Sequence, residues 1–128
     1  MKIEKQLGIY LDHASATLID VASLNKNSET ITSGFTHFEK EKMLLKTESG
    51  MHNKEQQELG TFFKKIASKI LSYNTVLLFG PTDAKAELFN YLRSEHKYDE
   101  IKIEQRSTDK IDSEAKKVFV KHYFDTVL

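Results

Sequence analysis

The chain has 128 residues, 39% hydrophobic and 30% charged, with one proline and no cysteine, a size and composition that fit one compact domain and exclude two. Its 19 basic and 19 acidic residues cancel to a formal charge of zero, so there is no bulk positive charge to neutralise a nucleic-acid backbone nonspecifically. The lack of cysteine excludes disulfides, thiolate nucleophiles, iron–sulfur clusters and cysteine zinc sites.

Met1-Lys-Ile-Glu-Lys-Gln-Leu7 carries charge where a signal peptide needs an apolar core, and no apolar run approaches the ~20 residues that span a bilayer. A cytoplasmic protein with no membrane partner is the expectation. No repeat, low-complexity tract or linker divides residues 1–128, which read as a single domain. Composition shifts once, from Thr, Ser, Ile and Phe in 1–38 to Glu, Lys and Gln in 39–72, marking a change from strand to loop and helix.

Leu7-Gly-Ile-Tyr-Leu11 and Ser15 to Val21 are short apolar or β-branched runs separated by Asp12-His-Ala14, the pattern of a hairpin. After the turn-like Asn25 to Ser28, Glu29 to His37 alternates Ile31, Ser33 and Phe35 with threonines, predicting a third strand. From Asn53 the period changes. Leu59, Phe62, Phe63, Ile66, Ala67, Ile70 and Leu71 recur at three and four, and Asn53 with Gln56 resembles a capping box, predicting a long helix. Thr75-Val-Leu-Leu-Phe79 is a continuous apolar run, as in a strand buried on both faces. Gly80-Pro81-Thr82-Asp83 ends it and caps a helix with Leu88, Phe89 and Leu92 inward. Glu100 to Glu104 alternates as an edge strand, and Asp112 or Ser113 caps a last helix with Ile111, Ala115, Val118, Phe119, His122 and Val127 facing the core.

The order β-β-β-α-β-α-β-α, with right-handed crossovers, predicts a three-layer α/β fold. Its mixed five-stranded sheet has the order 3-2-1-4-5, strand 2 antiparallel, the topology of ribonuclease-H-like folds. Such a sheet would present Asp12, Glu55 or Glu58, and Asp83 near one edge, and two-metal phosphodiester cleavage needs converging carboxylates. A metal-dependent nuclease using Asp12, Glu58 and Asp83 is therefore one reading, although Asp12 also suits a hairpin turn and Asp83 a helix first turn. His13, His37, His52, His96 and His122 are dispersed, without metal-ligand spacing. His52 draws attention by its place before the long helix. Gly80-Pro81-Thr82 joins a strand to a helix N-terminus, where backbone N–H groups can hold an anion, but Asp83 and the missing donor of Pro81 favour a turn and cap. No pattern calls for a cofactor. The connection 39–58 is long for a compact domain, and Met43, Leu44, Leu45 and Met51 within it could form a partner contact. Two further readings are a small-molecule binder at the C-terminal ends of strands one and four, and a homodimer paired through a half-polar edge strand.

Gly8-Ile-Tyr-Leu-Asp12 with Ala16-Thr-Leu18, Gln57 to Ile66, Val76 to Phe89, Ile103 to Ile111 and Phe119 to Phe124 together give the chain a family likeness. It resembles the middle domain of archaeal and eukaryotic class I release factors and Pelota, and especially the stand-alone bacterial proteins similar to it. That group's release factors carry a Gly-Gly-Gln tip between strand three and the long helix. Here only Ser49-Gly50-Met51 stands there, and Gln56-Gln57 follow without paired glycines. The resemblance thus implies a translation- or ribosome-associated binding domain without peptidyl-tRNA hydrolase activity, and not an enzyme. A ribosome, tRNA or protein partner would meet Gly50, Met51, His52 and Asn53 together with Gly80, Pro81 and Thr82.

Overall fold

Five short runs of apolar and β-branched side chains pair into one mixed sheet. The computed structural model describes residues 5–24, 28–32 and 60–127. Its strands are β1 (Gln6–Leu11), β2 (Ser15–Asp20), β3 (Glu29–Thr32), β4 (Thr75–Gly80) and β5 (Lys102–Ser107). Helical residues 60–70 belong to α1, followed by α2 (Ala84–Arg93) and α3 (Ser113–Val127). The strand order is β3-β2-β1-β4-β5. β2 runs antiparallel to β1 and β3, whereas β4 runs parallel to β1 and β5. This is the expected topology. The expected strand residues 33–37, the capping pair Asn53 and Gln56, and the connection 39–58 lie outside the described residues.

Burial explains the composition of each strand. β1 and β4 occupy the middle of the sheet and are covered on both faces, so both read as continuous apolar runs. Leu7, Ile9, Leu11, Val76 and Leu78 face α1 and α2, meeting Phe62, Ile66, Ile70, Leu88 and Leu92. Tyr10, Leu77 and Phe79 face the other way, toward Val120 and Phe124 of α3. Both crossover helices advance in the same direction across the sheet, so one handedness puts them on one face and leaves the other to α3. β3 and β5 are the edges, and charged Glu29, Lys102, Glu104 and Arg106 lie along them.

Three expectations are corrected in detail. β5 spans Lys102–Ser107 rather than 100–104, because it pairs with β4 along its whole length, from Thr75↔Lys102 to Gly80↔Ser107. Ile101 instead closes the preceding turn, where its carbonyl and that of Tyr98 accept from the Arg93 guanidinium at 3.1 and 3.2 Å. The buried face of α3 is Val120 and Phe124, flanked by Phe119 and Tyr123; Val118 is 65% exposed and His122 is exposed. Gly8 sets this choice, since a Cβ there would run into the γ-methyls of Val120. Leu71 lies past the last helical residue of α1 and is half exposed, whereas Phe62, Phe63, Ile66, Ala67 and Ile70 are buried as expected. Asp112 is the residue that caps α3, its carboxylate accepting from Ala115 N at 2.8 Å.

Two local features make testable demands. Tyr73, just after α1, donates its hydroxyl to Asp20 Oδ2 at 2.9 Å, tying the helix end to β2. Burial first, then the Asp20 hydrogen bond and charge, pushes its pKa up to about 12. The folded state therefore holds the phenol proton more tightly than the unfolded chain, whose tyrosine titrates near pH ~10. The stabilisation is full below that pH and drains away as pH climbs toward 12. Urea unfolding of wild type and Tyr73→Phe from about pH 8 to about pH 11 should show the stability gap shrinking at the alkaline end; a constant gap would contradict the tether. Gly80 has φ +153°, and a Cβ there would collide with the Leu11 carbonyl oxygen, whereas nothing surrounds a Cβ at Gly60. Gly80→Ala should cost about 2–4 kcal/mol, while Gly60→Ala should be neutral or gain up to about 1 kcal/mol, both read from urea midpoints.

Candidate functional site

Parallel pairing of β1, β4 and β5 brings their C-terminal ends to one edge of the sheet, where open α/β folds place their ligands. β3 ends at the same edge, because Thr32 pairs with Ser15 just beyond the β1–β2 turn. α1 runs back from this edge to the start of β4, so its N-terminal side also faces it. Thr32, the last described residue of β3, therefore lies at the edge that carries Asp12 and Gly80.

Each turn on this edge is built locally. Asp12 Oδ1 accepts from Ala14 N at 2.7 Å and Ser15 N at 2.9 Å, the Asx-type arrangement that closes the hairpin. His13, at the hairpin tip, reaches Glu87 of α2 with Nε2 to Oε2 at 2.7 Å, both side chains about half exposed. β4 runs out at Gly80, whose carbonyl accepts from Thr108 N at 3.1 Å. Pro81 and Asp83 are exposed and Thr82 is half-buried. The side-chain cap of α2 is Thr82, not Asp83: Thr82 Oγ1 accepts from Ala84 N at 3.2 Å. Asp83 contributes its carbonyl, which accepts from Ala86 N and Glu87 N.

Two groups here escaped the sequence reading. Lys85 is buried, with Nζ donating to Thr82 O at 2.6 Å. Extending the inner stripe Leu88 and Leu92 back one turn to 84 and 85 would have found it. Thr108 Oγ1 is buried and has no hydrogen-bond partner among the described residues. The residues expected at the site thus divide. Asp12, Gly80, Pro81, Thr82 and Asp83 lie on the two neighbouring turns of this edge, whereas Gly50, Met51, His52, Asn53 and Glu58 lie outside the described residues. Among the described residues no group of three or more histidines or carboxylates could hold a metal ion. Nor is any helix among them long and apolar enough to cross a membrane.

No protein-family model matches the sequence, and no curated protein matches it. Solved structures do match the fold. Pelota from Thermoplasma acidophilum matches 97% of this chain and 32% of its own, with a TM-score of 0.58 at 13% identity. Pelota from Archaeoglobus fulgidus, whose structure reveals inter-domain plasticity, matches 98% of this chain and 35% of its own, with a TM-score of 0.58 at 12% identity. The chain spans about a third of the length of these Pelota proteins, and what it shares with them is the fold.

Proposed function

We propose that this chain is a cytoplasmic, translation-associated binding domain of the release-factor and Pelota type, contacting the ribosome or tRNA without hydrolysing peptidyl-tRNA. The observation that carries the reading is the likeness to two archaeal Pelota structures over 97% and 98% of the chain. The glycines stand singly at positions 8, 34, 50, 60 and 80, so the paired glycines of a Gly-Gly-Gln tip are missing from the sequence. That difference supports a binding role in place of a hydrolytic one.

Topology supports a particular contact surface. β3 runs toward the C-terminal edge of the sheet, where Thr32 pairs with Ser15, and β4 runs out into Gly80, Pro81 and Thr82 at that same edge. In this reading Gly50, Met51, His52 and Asn53 join those turn residues in meeting the partner. Net charge is zero, so the contact is local and only moderately salt-sensitive, unlike binding through bulk charge. Among the described residues Asp12 has a turn role, its Oδ1 accepting from Ala14 N and Ser15 N, and no three histidines or carboxylates come together to hold a metal ion.

Sucrose-gradient sedimentation of the tagged protein from its own cells, at low and at moderate salt, tests the proposal. The full chain should travel with ribosomal particles, and a chain lacking 39–58 should remain at the top. Full-length protein found only at the top would overturn the translation-associated role, and particle association unaffected by the deletion would overturn the assigned surface.

A further inference from the structure

At the opposite edge of the sheet lies a half-open cavity of about 580 Å³ that the reading above does not use. It sits where α1 ends before covering the lower corner of β1, β2 and β3. Strand register explains its lining. Leu7 pairs with Asp20 and Leu18 with Glu29, and cross-strand partners share a face of the sheet. Leu7 and Leu18 belong to the core on the α1 side, so Asp20 and Glu29 also point to that side, above an apolar floor. The facing wall is the C-terminal turn of α1 and the residues after it, with Lys69, Tyr73 and serine hydroxyls.

The chemistry of this lining selects an occupant. Asp20 and Glu29 outnumber Lys69, and the carbonyl end of α1 adds partial negative charge. Asp20 accepts from Ala22 N and from the Tyr73 hydroxyl, which leaves lone pairs on its carboxylate for a further donor. Lys69 already demonstrates the preferred group, its ammonium lying 3.2 Å from Glu29 Oε1 with both side chains half exposed. A volume of about 580 Å³ is in the range of small-ligand sites, roughly 300–1,000 Å³. We propose that this cavity binds a small protonated alkylamine, with its methylene stem on Leu7 and Leu18 and its ammonium between Asp20 and Glu29. In this arrangement Lys69 is a built-in competitor for the same carboxylate.

Amide chemical-shift titration of the full chain with n-butylamine and putrescine, and with n-butanol as the uncharged isostere, tests the proposal. The amines should shift residues 18–20, 29 and 69–73 saturably, with affinity on the order of millimolar, and butanol should not. Asp20→Asn and, as the more exposed alternative should that variant not fold, Glu29→Gln should each weaken amine binding about fivefold or more. Lys69→Gln should strengthen it, an opposite sign that a purely structural role for these residues would not produce. Equal response to butanol and butylamine, no saturable shift, or affinity indifferent to all three substitutions would overturn the proposal. The site lies on the other edge from the proposed ribosome contact, so gradient sedimentation and amine binding succeed or fail independently.

Discussion

Parallel pairing of β1 with β4 is the constraint on which the rest of the molecule depends. The two strands lie in the middle of the sheet with helices on both sides, so their backbone groups can be satisfied only by each other and by their outer neighbours β2 and β5. Five consecutive register pairs, Gln6↔Thr75 to Tyr10↔Phe79, bring together segments about seventy residues apart in the chain. Side chains from alternate positions then supply both cores. Gly8 and Gly80 belong to the same requirement, one admitting Val120 of α3 against the sheet and the other admitting the backbone of Leu11.

That pairing also fixes what each edge of the sheet can do. At the C-terminal edge, three parallel strands end in short turns, and β3 ends there too. The turns are held by their own backbone N–H groups and by small side chains, which leaves exposed Pro81 and Asp83 facing outward from a rigid base. At the N-terminal edge, α1 stops short and the sheet presents inward-facing carboxylates beside an apolar floor. A neutral chain can hold both kinds of surface because its charges are sorted by position rather than by amount.

Much of this organisation was legible in the sequence. β1 and β4 announce themselves as uninterrupted apolar runs, α1 as a three-and-four periodicity, and the turns and helix starts as Asp12, the run Gly80 to Asp83, and Asp112, although which side chain of that run bonds to α2 was not readable. What could not be read depends on partners distant in the chain. The end of β5 is polar from Gln105 to Ser107, and only pairing with β4 makes it a strand. α3 offers Val118, Phe119, Val120, Tyr123 and Phe124, enough for two overlapping stripes, and the absent side chain at Gly8 decides between them. The His13–Glu87 and Asp20–Tyr73 contacts join residues 74 and 53 positions apart, with no local signature. At the candidate site the two turns were legible as turns, whereas burial of Lys85 became clear only once α2 was docked on the sheet.

The dependence of the fold on the central pair is measured most directly by native-state hydrogen exchange. Amides of β1 and β4, from Leu7 to Leu11 and from Val76 to Phe79, should exchange only through global unfolding, with opening free energies equal to the value from urea melts. Those of β3, β5 and α3 should open at lower cost. Strongest protection in the β2–β3 hairpin or in α3, with β1 and β4 exchanging through smaller openings, would contradict the account.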